Sequence, residues 1–341
     1  MMKYVAFGET MLRLNPHGYE RFVQAESFEA SYAGAEANVA VSLACFGCDV
    51  SYVTKFPDNE IGQAAINGLR RYGVDTSHIV RGGDRIGIYF LEKGASQRPS
   101  KVIYDRKGSA IATASAEDFD WDSILEGCGC LYLTGITPAL SETMPEICAA
   151  AAKKAKEKGA RVFCDVNYRS KLWSFEKAGK VMNELLKYVD VCIVNVEHAR
   201  DVLGIKVEPF ADGVDRPFDE GVARDVALQL KEKFGFEYVA LTMRKTHSSD
   251  DNEVAAMLYD GKEFCMSPIY RVHIVDRVGG GDGFGAGLAY ALGKGYETQA
   301  AVNFAEAASC LKHSVNGDFN LITASEVERL ANSTSGARTD R

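Results

Sequence analysis

One stretch constrains the fold of this chain more than any other: residues 270–293, YRVHIVDRVGGGDGFGAGLAYALG. Residues 272–275, VHIV, predict the end of a buried β-strand, which the chain leaves at Asp276. The three glycines at 279–281 predict a turn that no side chain crowds. From Asp282 onward, apolar residues recur at helical spacing. The stretch therefore predicts a strand, a glycine turn and a helix in direct succession.

A glycine turn of this kind suits an anion. Where it leads into a helix, it presents backbone N–H groups and the positive end of the helix dipole. Asp282 adds a carboxylate beside that site. Phosphoryl transfer to a hydroxyl group uses such a pair, because the donors hold the phosphate while the carboxylate accepts the alcohol proton. An alternative stays open here: the glycines only make a tight turn, and Asp282 only caps a helix.

Two other nucleotide-binding motifs fail in this stretch. Gly281, Gly283 and Ala286 fit G-x-G-x-x-A, but that fingerprint needs a following strand with an acidic residue about 20 positions on. A second helix is predicted there instead. A Walker A loop needs G-x4-G-K-[ST], and residues 287–295 do not keep that spacing. The sequence therefore indicates neither a dinucleotide fold nor a P-loop.

The order of strand, acid, glycines and acid resembles the C-terminal signature of the PfkB, or ribokinase-like, sugar kinases, D-T-x-G-A-G-D. The matching positions are Asp276, Gly279, Gly281 and Asp282. Gly280 stands where the family usually has alanine, and Arg277 and Val278 replace its threonine-rich pair. The 2-keto-3-deoxygluconate kinase branch, with D-R-V-G-G-G-D, is similar to this chain here.

The resemblance extends over residues 1–325. It implies a three-layer α/β/α domain with a mainly parallel central sheet and a small β-sheet lid. It also implies ATP- and Mg2+-dependent phosphorylation of 2-keto-3-deoxygluconate at its terminal hydroxyl group, giving the 6-phosphate. Asp282 would be the general base, and the backbone N–H groups of Gly279, Gly280 and Gly281 the anion hole. A K+ ion beside Asp276 is a further implication.

Composition and net charge limit the kinds of molecule that this chain is expected to bind. The chain has 341 residues, of which 46% are hydrophobic and 25% charged, as in ordinary soluble globular proteins. The net charge of −8 should repel nucleic acid, so an anionic substrate needs local arginines. No apolar stretch reaches roughly 18 residues, and we expect neither a membrane span nor a signal peptide.

The nine cysteines predict a reducing compartment rather than a metal site. Cys45 and Cys48 form a C-x-x-C, but no second such pair and no paired histidine follows them. Most of the others fall in apolar strand or helix patterns, which is typical of reduced core thiols. We therefore expect a cytoplasmic protein.

The order of predicted elements indicates the architecture. From residue 130 onward, strands alternate with helices, which predicts a mainly parallel sheet with helices on both faces. Half-exposed strands within 9–33 and 85–106 predict a small separate sheet, which in the resembled family is a lid over the sugar. Residues 326–341 are expected to be the end of a helix and a disordered tail.

The residues expected around the sugar are Gly34, Ala35, Asn38, Tyr89, Tyr104, Arg106, Arg169 and Asp282. Residues 34–38 resemble the family's G-G-x-x-x-N-x-A segment, in which the asparagine is expected to contact a hydroxyl group. Arg169 follows a predicted core strand at its carboxyl end, where ligands of open α/β sheets bind, and Arg106 ends a predicted lid strand. A guanidinium group suits a carboxylate, so the arginine pair favours a sugar acid over fructose or ribose. Taken singly, each arginine could equally form a surface ion pair.

The residues expected at the nucleotide are Asn195, Thr242, Arg244, Gly279, Gly281, Asn303 and His313. Asn195 matches the first position of the family's N-x-x-E motif near magnesium, but His198 occupies the fourth. Glu197, one residue earlier, is then the candidate acid for the magnesium shell. A helix-surface role for Asn303 and a core position for His313 remain open.

Other functions remain open at this point. Within kinases, the closest alternative is an enzyme for a neutral ketohexose such as fructose. A weakly catalytic sugar-acid sensor on the same scaffold is the second alternative, suggested by Val278 and His198. An NAD-dependent oxidoreductase is a third. We expect a homo-oligomer that binds ATP and a sugar acid, without nucleic acid or membrane partners.

Overall fold

The computed structural model describes residues 2–208 and 216–333. Its strands, in chain order, are β1 (Lys3–Phe7), β2 (Met11–Asn15), β3 (Glu29–Ala33), β4 (Asp49–Val53), β5 (Lys55–Phe56), β6 (Val80–Arg81), β7 (Gly87–Glu92), β8 (Lys101–Asp105), β9 (Cys128–Thr134), β10 (Arg161–Asp165), β11 (Val191–Val194), β12 (Tyr238–Thr246), β13 (Asp251–Tyr259), β14 (Phe264–Met266) and β15 (Tyr270–His273).

The α-helices are α1 (Ala35–Cys45), α2 (Glu60–Arg70), α3 (Trp121–Ile124), α4 (Met144–Glu157), α5 (Phe175–Leu185), α6 (Val196–Asp201), α7 (Glu220–Phe234), α8 (Gly280–Gly293), α9 (Thr298–Lys312) and α10 (Ala324–Ala331). Local sequence sets several of their starts. Asn59, Ser174, Asn195 and Asp219 each accept a hydrogen bond from a backbone N–H in the first turn of the helix that follows.

One large sheet forms the centre of the described protein. Its order is β14-β13-β12-β11-β10-β9-β1-β4, with β15 also paired to β13. The neighbours from β4 to β12 are parallel, whereas β13 pairs antiparallel with β12, β14 and β15. The prediction of a mainly parallel α/β sheet is therefore confirmed.

Each face of this sheet carries its own hydrophobic core. Along β1, Val5 and Phe7 point into one core, while Tyr4 and Ala6 point into the other. The first core packs against α3, α4, α5 and α7. The second packs against α1, α2, α8, α9 and α10, where Val327 is fully buried. Because side chains alternate along a strand, two buried faces require near-continuous apolar strands, as the sequence has.

The predicted small sheet is also present and forms a lid. Its order is β3-β2-β7-β8, with β2 and β7 parallel and the outer pairs antiparallel. Along β2, the side chains of Met11, Arg13 and Asn15 are buried on one face. On β7, Tyr89 is buried as well. Two of these buried residues, Arg13 and Tyr89, form hydrogen bonds with side chains of the main domain.

The strand expected before the glycine turn differs from the prediction. β15 ends at His273 and lies at the edge of the sheet, where Arg271 and His273 are exposed. Val275 is 46% exposed, so the three aliphatic residues within 272–275 were a misleading signal for a buried strand. An edge strand needs only one apolar face, and alternate residues of β15 are polar for that reason.

Two helix starts and one strand start also differ from those that the sequence predicts. Gly279 is the N-cap of α8, so Asp282 is the third residue of the helix rather than its first. Glu297 precedes α9, and the hydroxyl group of Thr298 donates to Asp260 instead of capping the helix. The strand expected over 20–33 begins only at residue 29.

Two further expectations concern the ends and the surface of the chain. The disordered tail was predicted for a segment that, from residue 334 onward, lies outside the described residues. In the described part of the chain, no helix is both long and apolar enough to cross a membrane.

Candidate active site

A cleft of about 920 Å³ lies between the lid and the carboxyl ends of the parallel strands. Asp165, the last residue of β10, and Asn195, the residue after β11, line it from the main domain. Tyr89 and Tyr104 line it from the lid. Crevices at the carboxyl edge of such sheets are where α/β proteins bind ligands, so this cleft is the candidate site.

The glycine turn forms one wall of the cleft. Gly279 has φ +82°, and a Cβ atom there would overlap the carbonyl oxygen of Asp318. Glycine is therefore required on both conformational and steric grounds. α8 begins at Gly280, and the space beside Gly281 is open. Because the first N–H groups of a helix lack intrahelical acceptors, this turn presents donors to the cleft.

Asp282 projects into the same cleft from the first turn of α8. Its Oδ2 accepts a hydrogen bond of 2.6 Å from Nδ2 of Asn38. Burial raises the pKa of Asp282 to about 6, although the Asn38 bond opposes the rise. The carboxyl group is thus ionised at neutral pH and is a stronger base than an ordinary aspartate.

Asn38 makes two hydrogen bonds within the protein, in addition to its predicted role at the sugar. Its Nδ2 donates to Asp282, and its Oδ1 accepts from the backbone N–H of Gly34 at 3.4 Å. Gly34 packs so closely on the backbone of Glu9 that a Cβ atom would overlap the Glu9 carbonyl. Gly34 and Ala35 line the cleft, as expected. Asn38 therefore orients the candidate base, and its amide keeps one N–H and one oxygen lone pair for a ligand.

Arg106 lines the cleft but is already paired. Its guanidinium group donates to the carboxylate of Glu9 through Nε at 2.8 Å and through Nη2, and Ser109 donates to the same carboxylate. Its guanidinium also lies 5.2 Å from the ring centre of Tyr104, which is next to Tyr89. Glu9 neutralises the charge of Arg106, so the expectation of two converging free arginines is not met.

Arg169 is an arginine on the sugar side of the cleft whose charge remains available. It follows β10, is exposed in the cleft, and donates through Nη1 to the carbonyl of Tyr168 at 3.3 Å. No carboxylate in residues 2–208 or 216–333 lies within salt-bridge distance of it. Its positive charge lowers the pKa values of Asp165 and Asp282, against the larger effect of burial. Arg169 is therefore within electrostatic range of the candidate base without being neutralised by a carboxylate.

The predicted magnesium motif has a mainly structural role in this chain. The Oδ1 atom of Asn195 accepts from the backbone N–H of His198 at 2.7 Å and caps α6. Burial, and then the charge of Arg169, lower the pKa of His198 to about 4. The imidazole is therefore neutral at pH 7 and supplies no negative charge. Glu197 lines the cleft and is the carboxylate that α6 contributes to it.

The nucleotide residues on β12 lie where they were expected, but the one on α9 does not. Thr242 and Arg244 line the cleft. Asn303 does not, and its Oδ1 accepts a hydrogen bond from Gln299 at 2.8 Å. The helix-surface alternative thus describes Asn303.

α9 reaches the cleft one turn further on, through Glu306 and Ser309. Glu306 is only 2% exposed, and burial raises its pKa to about 8, while the charge of Arg244 opposes the rise. The sequence analysis missed Glu306. Its position three residues after Asn303 places it on the same helical face, one turn further along, and that spacing was the one available signal.

Three other carboxyl groups were also missed. Asp165 and Glu36 line the cleft, and burial raises the pKa of each to about 7. Glu36 accepts hydrogen bonds from the hydroxyl groups of Thr134 and Thr137 at 2.7 and 2.6 Å. Asp318, which follows α9 and also lines the cleft, is the third.

His313 lies behind the glycine turn rather than on the cleft wall. Its ring is 1% exposed, and Nδ1 lies 2.7 Å from the carbonyl oxygen of Ser309. A Cβ atom on Gly280 would overlap this ring, coming within 2.7 Å of Nε2. His313 is thus a core histidine, and its ring explains why this chain has glycine where the resembled motif has alanine.

Asp276 also lies behind the turn, in a buried ion cluster with the lid. Arg13 donates through Nη2 to Asp276 at 2.7 Å and through Nη1 to Asp318 at 2.5 Å. Asp276 also accepts from the backbone N–H of Gly317 at 3.0 Å, and Asp318 from the hydroxyl group of Tyr89 at 2.7 Å. The lid and the glycine turn are thereby joined through one arginine.

Comparison with known proteins agrees with this geometry. Residues 1–323 match the model of the pfkB family of carbohydrate kinases. A 2-dehydro-3-deoxygalactonokinase of Haloferax volcanii is 36% identical, over 96% of this chain and 95% of that protein. The crystal structure of a 2-dehydro-3-deoxygluconokinase from Thermotoga maritima is 47% identical, with a TM-score of 0.93 over 97% of this chain and 98% of that one. A ribokinase II of E. coli, solved with ATP and Mg2+, shares the fold at 20% identity and a TM-score of 0.79, over 97% and 99% of the two chains.

The contact between Gly280 and His313 predicts a rescue between two substitutions. Gly280→Ala should weaken binding of a non-hydrolysable ATP analogue by about tenfold or more, because the added methyl group must displace the turn from the buried ring. His313→Ala removes the ring, so Gly280→Ala in that background should cost less than about threefold. Calorimetric titration of the wild type and three variants measures both effects. Equal losses in the two backgrounds would show that the ring does not restrict residue 280.

Proposed function

Because the chain belongs to the pfkB family of carbohydrate kinases, we propose that it is an ATP-dependent kinase of 2-keto-3-deoxygluconate. The product is the 6-phosphate, formed at the terminal hydroxyl group. The observation that carries the choice of a sugar acid is Arg169, an arginine of the cleft without a carboxylate partner among the described residues. The names of the Thermotoga and Haloferax relatives support the same class of substrate and differ in the epimer.

Asp282 acts as the general base. Its carboxylate accepts the proton of the attacking hydroxyl group as the bond to phosphorus forms, which is a typical role for a group with a pKa near the working pH. Asn38 fixes the carboxylate at 2.6 Å, so one oxygen is held by the protein and the other is left for the sugar. Because its pKa is about 6, Asp282 accepts a proton more readily than an ordinary aspartate does.

The N-terminus of α8 holds the transferred phosphoryl group. Backbone N–H groups of residues 279–281 and the helix dipole stabilise the charge that develops on its oxygens. Arg244 and Arg277 line the same cleft and add positive charge for the ATP phosphates. These donors are fixed before the substrate arrives, so little reorganisation is needed during transfer.

Magnesium fits this site as a partner of ATP. Mg2+ is commonly bound through one or two carboxylates, water and substrate phosphates, and when bound it neutralises phosphate charge. The described residues contain no group of three or more acidic, histidine or cysteine side chains able to hold a metal by themselves. Glu197 on the cleft wall is the residue we assign to the magnesium shell.

A K+ ion beside Asp276 does not fit. A monovalent cation needs several free oxygen atoms, whereas Asp276 already accepts from Arg13 and from the backbone of Gly317. Lys93 lies 3.6 Å from the same carboxylate oxygen. The proposed mechanism therefore contains no step that uses K+.

The change Asp282→Asn should keep the shape of the site but remove the base. We expect kcat to fall by about 10²- to 10⁴-fold, while ATP affinity changes little. In the wild type, kcat/KM should fall as the pH drops through about 6, because protonation of a base with a raised pKa occurs there rather than near 4. Steady-state kinetics from pH 5 to 8 measure the profile. A flat profile across this range, or a variant retaining more than about a tenth of wild-type kcat, would remove Asp282 from this role.

The change Arg169→Ala tests the charge of the substrate. A charged hydrogen bond contributes about 1.5–3 kcal/mol, so kcat/KM for 2-keto-3-deoxygluconate should fall by about 10- to 150-fold. Any side activity on fructose should stay nearly unchanged, because fructose has no carboxylate. Arg224→Ala, at an exposed arginine of α7 that pairs with Glu220 and does not line the cleft, is the matched control. Equal losses on both sugars would show that Arg169 serves the phosphates or the fold.

We also propose a cytoplasmic homodimer that pairs through the outer face of the lid. Val23 is 92%, Ile103 53% and Phe28 39% exposed there, and contiguous exposed apolar surface commonly marks an interface. The nine free thiols suit a reducing compartment.

Light scattering should give a mass near twice the 37.2 kDa of one chain. Ile103→Lys should shift the mass toward one chain, whereas Leu228→Lys, at an exposed residue of α7 far from the lid in sequence, should not. An unchanged mass for Ile103→Lys would place the interface elsewhere.

A further inference from the structure

Three cationic side chains surround the carboxylates behind the glycine turn. Arg13 contacts both Asp276 and Asp318, and Lys93 lies 3.6 Å from Asp276. Lys312 is within electrostatic range of the same two carboxylates. We call these five residues the turn cluster.

Lys312 occupies a particular place in the turn cluster. Its side chain is fully buried at the end of α9, and Nζ donates to the carbonyl oxygen of Val315 at 3.2 Å. A Cβ atom on Gly279 would lie 3.0 Å from Cε of Lys312. The end of the lysine side chain thus lies directly beneath the N-cap of α8. Burial lowers the pKa of Lys312, and the charges of Asp276 and Asp318 oppose that shift.

Burial of a lysine at this point needs a reason, because an ammonium group loses its hydration there. An isolated buried charge is strongly unfavourable unless it is paired and hydrogen-bonded. Here Val315 supplies a carbonyl oxygen, and Asp276 and Asp318 supply negative charge. A carbonyl oxygen and carboxylates are also the ligands that a monovalent metal ion would require, and an ammonium group is close to K+ in size.

We infer that Lys312 is a built-in cation that replaces a monovalent metal ion beneath the glycine turn. It is a positioning residue, because it acts on the substrate through the backbone of Gly279, through Asp276 and through the effect of its charge on Asp282. Arg13 completes the charge balance from the lid side. The inference concerns the kinase proposed above, and it implies that this enzyme turns over without K+ or NH4+.

Chemical rescue tests this inference. The assay measures phosphorylation of 2-keto-3-deoxygluconate at constant ionic strength, with tetramethylammonium chloride replaced stepwise by KCl or NH4Cl. Wild-type kcat should change by less than about 1.5-fold, because the position is filled. Lys312→Ala removes the charge and leaves a cavity, so its kcat should fall by about tenfold or more and recover, with saturation, by at least about threefold in NH4Cl.

Two further variants test whether the rescue is specific to the cavity left at residue 312. Lys312→Met removes the charge but fills the space, so NH4Cl should not restore its kcat. Lys233→Ala removes an exposed lysine that also donates to a backbone carbonyl, that of Leu203, and it should behave as the wild type does. Saturable activation of the wild type by K+, or equal responses of Lys312→Ala and Lys312→Met, would overturn the inference.

Thermal unfolding gives a readout that does not depend on the reaction. The Tm of Lys312→Ala should be higher in NH4Cl than in tetramethylammonium chloride, because the ion binds the folded state, while the wild type should show no such difference. This result would stand even if the substrate proved to be another sugar. A wild type stabilised specifically by K+ would contradict the inference, whatever its activity.

Discussion

The contact of Arg13 with Asp276 and Asp318 is the interaction on which the rest of the site depends. It joins a lid strand to the two segments that flank α8 and α9, and all three side chains are at most 9% exposed. Breaking one partner of a buried ion pair typically costs about 3–5 kcal/mol, because the remaining charge stays buried. The position of the lid over the cleft and the position of the glycine turn are therefore set together.

Three acidic side chains of the cleft have no salt-bridge partner in the described part of the chain, and burial raises their pKa values. Asp282, Asp165 and Glu36 all have pKa values raised mainly by burial, to about 6, 7 and 7. Each has a different neighbour: Asn38 for the first, Arg169 within electrostatic range of the second, and threonine hydroxyl groups for the third. Only Asp282 stands beside the N–H groups of the glycine turn, which is why it is the base in our account.

Much of the fold could be predicted from the sequence, because strand and helix periods are local signals. The glycine turn, α8 and the parallel core followed from them, and the family resemblance identified some of the cleft residues on both sides. The contacts of Arg13 could not be predicted, since its partners lie 263 and 305 residues away. Asn303 was chosen instead of Glu306 because residues three apart lie on the same face of a helix, so helical spacing does not tell which turn reaches the cleft. His313 could be placed only by its packing against Gly280.

The central claim is that this chain phosphorylates the terminal hydroxyl group of a 2-keto-3-deoxy sugar acid. The most direct test is 31P NMR of the products formed with ATP and Mg2+ from 2-keto-3-deoxygluconate, its galacto epimer, fructose and ribose. Our account predicts ADP and one new phosphate monoester, coupled to the protons of a terminal CH2 group, with a sugar acid as the preferred substrate. A preference for fructose or ribose, or no phosphate ester from either acid, would contradict it.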